Sequence, residues 1–174
     1  MGKSSQLKDI NQGDVITFQG VNNKYKVILC TNAYKVKSPH VYSFAALTID
    51  KYEKPTIEDV RASEFFGVGK SAIASFKYSE DELEKMWTFH PGIKPYFLGS
   101  YTLFIWRKDF MRFRDNVELI GNLDIVDNLD KHGSAGFNAS DWTALRDFFT
   151  DAYRDKLEER RQNSTFKVEA IIRA

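Results

Sequence analysis

Residues 24–50 read KYKVILCTNAYKVKSPHVYSFAALTID, and the reading of this stretch decides the fold. Two apolar runs, 27–30 and 41–49, flank a polar connector that carries Tyr34, Ser38 and Pro39. Short runs rich in Val, Ile, Phe and Tyr, bounded by turn-forming residues, mark core strands rather than helices. Residues 24–32 and 41–49 are therefore expected to be two strands of one sheet. On their N-terminal side, Gly13-Asp14 opens Val15-Ile16-Thr17-Phe18, a further strand. Gly20-Val21-Asn22-Asn23 joins it to the next as a tight turn, because Gly and Asn tolerate positive φ. The first two strands should form an antiparallel hairpin.

Beyond residue 50 the pattern changes. Pro55-Thr56 followed by Glu58 and Asp59 predicts a helix start with acidic residues in its first turn. Ile57, Val60, Ala62 and Phe65 would be its apolar face, and Gly67 and Gly69 its stop. Residues 71–78 are expected as a strand, and 79–87 as a short helix capped by Ser79. His90-Pro91-Gly92 and Lys94-Pro95 form a stiff connector, followed by an aromatic, β-prone strand over 96–106. Residues 116–126, NVELIGNLDIV, alternate so that Val117, Leu119, Leu123 and Ile125 share a face, with Gly121 marking a bulge. A loop spans 127–137.

The clearest helix is 140–161, where Trp142, Leu145, Phe148, Phe149, Ala152, Tyr153 and Leu157 recur at helical spacing. Asn138 or Ser140 would cap its start, and Arg160 and Arg161 suit its C-terminal dipole. Residues 165–172 would close the chain as a strand. This order predicts an α+β fold with a mainly antiparallel, barrel-like sheet, a long C-terminal helix and an enlarged insertion region over 50–115. A length of 174 residues predicts a single domain over 1–174.

Composition narrows the function. With 43% hydrophobic and 14% aromatic residues the chain can bury a real core. A formal charge of +1 at 28% charged residues argues against duplex binding by counterion release, though not against a small basic site. The lone Cys30 lies inside an apolar run and cannot form a disulfide within the chain, which fits a reduced, cytoplasmic setting. Residues 1–13 lack the apolar stretch of a signal peptide, and no run approaches the roughly 18 apolar residues of a membrane span. A soluble protein with no membrane contact is expected.

Few motifs carry chemistry. Gly69-Lys70-Ser71 is not a phosphate loop, since Glu64 stands where that motif needs glycine. His40, His90 and His132 lack ligand spacing, so no metal is expected, and no elbow glycines surround Ser134. Arg107, Lys108, Arg112 and Arg114 interleave with Trp106, Phe110 and Phe113. Cations beside stacking rings hold single-stranded nucleic acid, yet the same pattern fits a solvated turn whose aromatics enter the core. Lys24, Lys26, Lys35 and Lys37 form a second cluster. Alternation puts Lys24 and Lys26 on one face, which also reads as a plain solvated strand face.

The order of several pieces resembles the MazF/PemK-like toxins, small SH3-like barrels that cleave single-stranded RNA. Gly13-Asp14-Val15 is similar to the family's opening strand. Val27-Ile28-Leu29 with Thr31-Asn32 resembles its second strand, and Ser38-Pro39 with Phe44-Ala45-Ala46-Leu47-Thr48 its third. Leu119-Ile120 with Asp124-Ile125-Val126-Asp127 resembles a later strand, and the helix over 140–161 stands where the family has its last helix. The pieces cover roughly 70 of the 174 residues.

The resemblance implies an RNA-interacting protein, a metal-independent and cofactor-free endoribonuclease toxin of a toxin–antitoxin system. Its partners would be single-stranded RNA and an antitoxin-like protein or a second copy of the chain. The family's arginine before the second strand falls on Lys24, or on Tyr25 if the alignment slips by one, and its Thr or Ser ending the third strand falls on Thr48. Lysine neutralises a phosphate but lacks the planar two-pronged contact of arginine. Lys24 and Thr48 are thus the implied catalytic pair, with Lys26, Arg112 and Arg114 binding RNA. Cleavage needs a base for the ribose 2′-hydroxyl, and the sequence assigns none. Two alternatives stay open. One is a non-catalytic barrel acting as a protein-interaction module through the 50–115 segment and the 96–106 strand. The other is a small-molecule pocket built on the same aromatics.

Overall fold

Strand order follows from which residues alternate and which turns can form. A computed structural model describes residues 9–34, 41–68, 79, 81, 85, 99–100, 102–127, 129, 136–149 and 164–173. Over these the chain is α+β with a mostly antiparallel sheet. Strands β1 (Asp14–Gln19) and β2 (Tyr25–Tyr34) form the expected hairpin, Val15 opposite Leu29 and Gln19 opposite Tyr25. Asn23 takes φ 65° in the turn, the left-handed conformation that Asn tolerates. β3 (Val41–Ala46) pairs with β2. Helix α1 (Ile57–Arg61) starts at a capping box: Asp59 N–H donates to Thr56 Oγ1, and Thr56 N–H to the Asp59 carboxylate. The Thr56 backbone N–H and the Lys51 ammonium hold the Asp59 carboxyl below its ordinary range.

Strands β4 (Glu64–Val68), β5 (Gly99–Ser100) and β6 (Thr102–Trp106) follow, then helix α2 (Arg107–Phe113) with a 3-10 turn over Arg114–Asn116. β7 (Glu118–Asn122), β8 (Gly136–Asn138), helix α3 (Trp142–Phe148), β9 (Ser164–Lys167) and a last 3-10 turn over Val168–Ile171 complete the order. The main sheet runs β7-β1-β2-β3-β6-β8, with only β8 parallel to its neighbour, and a smaller sheet runs β5-β4-β9. An isolated bridge Leu47–Phe65 ties the end of β3 to β4, and another, Ile125–Ile172, ties the segment after β7 to the residue after the last 3-10 turn.

The central strands are buried on both faces. Val15, Val27, Leu29, Ala45 and Leu47 pack with Phe65, Leu123, Ile125, Val168 and Ile171 in one core. Ile16, Phe18, Ile28, Cys30, Tyr42 and Phe44 face the opposite way, against Phe110, Phe113, Leu145 and Phe149. Two-sided burial is why these strands read as continuous apolar runs rather than alternating ones.

Several expectations are corrected. The helix over 140–161 does not run continuously: α3 starts at an Asp141 cap, not at Asn138 or Ser140, and leaves helical geometry at Phe149 (φ −93°, ψ 51°). Phe149 is drawn into the core edge-on to Phe18 at 5.4 Å, which turns the chain off the helical path. The remainder of that predicted helix lies outside the described residues. α1 ends at Arg61, and Phe65 belongs to β4, because Phe65 and Phe66 point into different cores as only an extended chain allows.

Residues 99–106 split between two sheets instead of forming one strand. β7 stops at Asn122, and Leu119 is exposed rather than sharing a buried face with Val117. The bulge lies beside the predicted Gly121: Val15 faces Gly121 and Ile16 faces Leu119, which leaves Ile120 extra. Phe137 is in β8, not a loop, and the closing strand gives way at Val168 to a 3-10 turn that buries Val168 and Ile171. The predicted strand 71–78 lies outside the described residues, and of the 79–87 helix Asp81 and Lys85 are helical.

Two glycines make opposite demands. Gly13 has φ +90°, and a Cβ there would lie 2.0 Å from the Leu123 carbonyl oxygen, which is immovable backbone. A Cβ at Gly121 would meet only Ile57 Cδ1 at 2.9 Å, the free end of a side chain. Gly13→Ala should destabilise the protein by about 3 kcal/mol or more, against under about 1.5 kcal/mol for Gly121→Ala, in urea unfolding. Reversed magnitudes would refute this account of Gly13.

Tyr42, fully buried, donates from its hydroxyl to Asp9 Oδ1 at 2.6 Å, and Arg107 Nε lies 3.7 Å from the same oxygen. Burial, then the Asp9 carboxylate, pushes the phenol well above its ordinary value. The folded protein thus holds this proton more tightly than the unfolded chain, whose phenol titrates near about 10. The resulting stability is complete below that pH and is withdrawn as pH rises beyond it. Tyr42→Phe should cost about 1 kcal/mol at neutral pH and should flatten the loss of stability above about pH 10. An alkaline slope identical in both proteins would exclude Tyr42 as its source.

Candidate functional site

The β1–β2 turn carries Lys24, whose backbone carbonyl accepts from Gly20 N–H at 2.9 Å. After β3 the chain runs back along the start of β2: Leu47 N–H donates to Val27 O, and Tyr25 N–H to Lys51 O at 2.6 Å. Asp50 and Tyr52 are thereby brought beside Lys24 and Lys26. Lys26 shares the phase of Ile28 and Cys30, so alternation sends it inward, where its side chain is 0% exposed. Its stem passes beneath Gly20, whose Cβ, if present, would be 3.0 Å from Lys26 Cε. The ammonium forms an ion pair with Asp50 Oδ1. A buried cation without such a partner would be far too costly to retain.

The other oxygen, Asp50 Oδ2, lies 4.0 Å from Lys24 Nζ, and that ammonium also sits 5.3 Å over the centre of the Tyr52 ring. Tyr52 is 66% exposed, the most open large apolar side chain of those described. The result is a rim of four groups in sequence: a buried cation, a carboxylate, a half-exposed cation and an open aromatic face. Lys51 and Lys54 flank it, paired with Asp59 at 2.9 Å and with Glu118.

The predicted site residues divide. Lys24 is on this rim. Lys26 is within it but interior, so the expectation that Lys24 and Lys26 share a solvated face is corrected; the charge of Lys26 goes to Asp50. Thr48, half-buried, joins the two sheets through its backbone N–H to Glu64 O at 2.8 Å. Arg112 is exposed on α2, and Arg114 directs Nη1 at Met111 Sδ, 3.6 Å away. The rings between these arginines are not open to bases: Phe110 is 0% and Phe113 3% exposed, in edge-on contact with each other and with Tyr42 and Trp142 nearby. The core therefore claims Phe110 and Phe113, while Trp106 is only partly buried. Lys35, Lys37, His40, His90, His132, Ser134 and the Gly69–Ser71 stretch lie outside the described residues.

Asp50 and Tyr52 were not singled out from the sequence. The available signal was parity: a lysine in phase with Ile28 and Cys30 on a core strand requires a carboxylate, and Asp50 is the first one after β3. Among the described residues no three His, Cys, Asp or Glu side chains converge as a metal site. Cys30 is buried, with its thiol directed at Asn32 O. No helix among these residues is long and apolar enough to cross a membrane. Compared with protein-family models, curated proteins and solved structures, the chain matches none.

The Lys26–Asp50 pair predicts an asymmetry between its two halves. Lys26→Met keeps the volume and leaves Asp50, 29% exposed, to solvent, so its cost should stay within about 1 kcal/mol. Asp50→Ala strands a buried ammonium and should cost about 3–5 kcal/mol. Thermal unfolding of both variants measures the difference, and equal losses would mean that the pair is not desolvated as placed.

Proposed function

We propose that this chain is an RNA-interacting protein with a MazF/PemK-like, SH3-like barrel, which holds single-stranded RNA at the Lys24–Tyr52 rim. The observation that carries this reading is the Lys24 ammonium poised over the face of an otherwise open Tyr52. An aromatic face beside a mobile cation is the unit that binds one nucleotide, base on ring and phosphate on cation. The magnitudes favour displacement of the lysine by a base. An exposed cation–π contact stabilises by about 0.5–1 kcal/mol and a surface ion pair by about 0–1 kcal/mol, whereas base stacking contributes about 1–3 kcal/mol. Lys24 thus gives up the ring and swings to the phosphate.

The barrel reading is supported by a ring of neighbours. From β7 through β1, β2 and β3 the Leu47–Phe65 bridge leads to β4 and β9, and the Ile125–Ile172 bridge leads back to the end of β7. Val15, Val27, Leu29, Phe65, Ile125 and Ile171 from these neighbours pack in one core, as that reading requires.

A second reading, the non-catalytic barrel, is favoured over the endoribonuclease toxin by one observation. Lys26, an expected RNA-binding cation, commits its charge to Asp50 inside the protein, so it does not assist Lys24 at a phosphate. Cleavage would restore the toxin reading, together with Thr48 as a hydrogen-bond donor and an antitoxin-like partner.

The test is fluorescence anisotropy with a short mixed-sequence RNA, with the same mixtures run on denaturing gels. Tyr52→Ala should weaken binding about tenfold or more. Lys24→Ala should weaken it less and lower the salt slope by about one unit. Both side chains are at the surface, so these variants should unfold like the parent. Binding unchanged in Tyr52→Ala refutes the rim as the RNA site.

A further inference from the structure

Within the RNA reading just given, on which this step rests, the carboxylate of the rim has a role that stacking and phosphate contact leave open. Asp50 Oδ1 is fixed by the buried Lys26 ammonium. Asp50 Oδ2 meets no hydrogen-bond donor among the described residues; its nearest cation, Lys24 Nζ, stands at 4.0 Å, beyond hydrogen-bond distance. The Asp50 side chain is 29% exposed, so it is not withdrawn into the core, and its pairing with Lys26 keeps it from rotating into solvent. Lys24 Nζ lies 4.0 Å from Asp50 Oδ2 and 5.3 Å from the centre of the Tyr52 ring, so the acceptor and the stacking face are one side-chain span apart. When a base takes the ring, Lys24 departs from Oδ2 just as the edge of the base arrives beside it.

We infer that Asp50 reads the Watson–Crick edge of the stacked base and makes the rim selective for guanine. An ionised carboxylate only accepts, and each of its oxygens accepts twice, so Oδ2 and the remaining lone pair of Oδ1 are both available. Guanine presents two adjacent donors on that edge, N1–H and the N2 amino group, which match a carboxylate side on. Adenine and cytosine each offer one amino donor next to a ring nitrogen whose lone pair repels the carboxylate. Uracil offers one N3–H between two carbonyl oxygens, which is worse still. Single-stranded RNA exposes this edge once the base is unstacked from its neighbours. The buried Lys26 acts as the positioning residue, since it fixes the carboxylate plane without touching RNA.

Asp50 variants risk unfolding, because they strand Lys26, so the test uses the wild-type protein and alters the RNA. Oligouridine carrying one central guanosine, inosine, 7-deazaguanosine, adenosine, cytidine or uridine is titrated by anisotropy. The guanosine oligomer should bind about tenfold tighter than the uridine one. Inosine, which lacks the N2 amino group, should lose that advantage, whereas 7-deazaguanosine, altered only on the opposite edge, should keep it. In Lys24→Ala all affinities should fall while the guanosine-to-uridine ratio stays. Equal binding of all six oligomers, an inosine oligomer as tight as guanosine, or a ratio that vanishes with Lys24 overturns the role of Asp50 and leaves RNA binding intact. Binding of none of them overturns the RNA reading itself.

Discussion

Burial of β1, β2 and β3 on both faces is the constraint from which the rest of the structure follows. A sheet solvated on one side could place lysines and threonines outward at will. Here each successive residue enters one core or the other, so Val27 and Leu29 meet Phe65 and Ile171 while Ile28 and Cys30 meet Phe44 and Phe110. A second layer is therefore needed on each side. The small sheet and the last 3-10 turn cover one face, and α2 and α3 cover the other with edge-on rings such as Phe18 against Trp142 at 5.6 Å. The same constraint makes polar intrusions informative. Thr17 and Lys26 both fall in this buried region: Thr17 turns its hydroxyl to the Lys26 carbonyl, and Lys26 finds Asp50.

That pair links the core to the surface. Lys26 has no exposure, Asp50 is partly exposed, and one carboxylate spans the boundary between them. Its position depends on the chain staying alongside β2 beyond the end of β3, so that Lys51 pairs with Tyr25. The same path puts Tyr52 beside Lys24. Had the β2–β3 register simply continued, Asp50 would stand opposite Lys24; the Tyr25–Lys51 bridge instead leaves two extra residues between Leu47 and Lys51, and Asp50 reaches Lys26. That irregularity in the pairing assembles the rim, and at the same place Leu47 bridges Phe65 and Thr48 N–H donates to Glu64 O, which ties the strand to the small sheet.

The hairpin was legible because its signals are local: Asn23 at positive φ, and two unbroken apolar runs. The start of α1 was legible for the same reason, as Thr56 and Asp59 satisfy each other three residues apart. Its end was not, since Phe65 fits a helical phase from Ile57 as well as it fits a strand, and only the two cores distinguish them. The 140–161 periodicity misled in a similar way: Phe148 and Phe149 are adjacent, and the core claims Phe149 out of the helical path. Parity along β2 placed Lys24 and Lys26 together but said nothing about which side of the sheet was wet. That information lay in α3, more than a hundred residues downstream, whose Phe149 carbonyl lies close to where Lys26 passes under Gly20.

The interleaved cations and rings of 106–114 show why composition alone is a poor guide to a nucleic-acid site. By pattern they offered more aromatic surface than residues 50–54 do, yet Phe110 and Phe113 are needed to close the core over Tyr42 and Phe44. Full burial of a ring stabilises the folded chain by about 1.5–3 kcal/mol at all times, whereas stacking on a base, about 1–3 kcal/mol, is gained only with RNA bound. Aromatics on a helix that covers a hydrophobic sheet therefore go inward. Tyr52 lies one residue past the Tyr25–Lys51 bridge, and its ring is exposed beside a cation. The same irregular run after Leu47 sets Asp50 against Lys26 and Tyr52 beside Lys24.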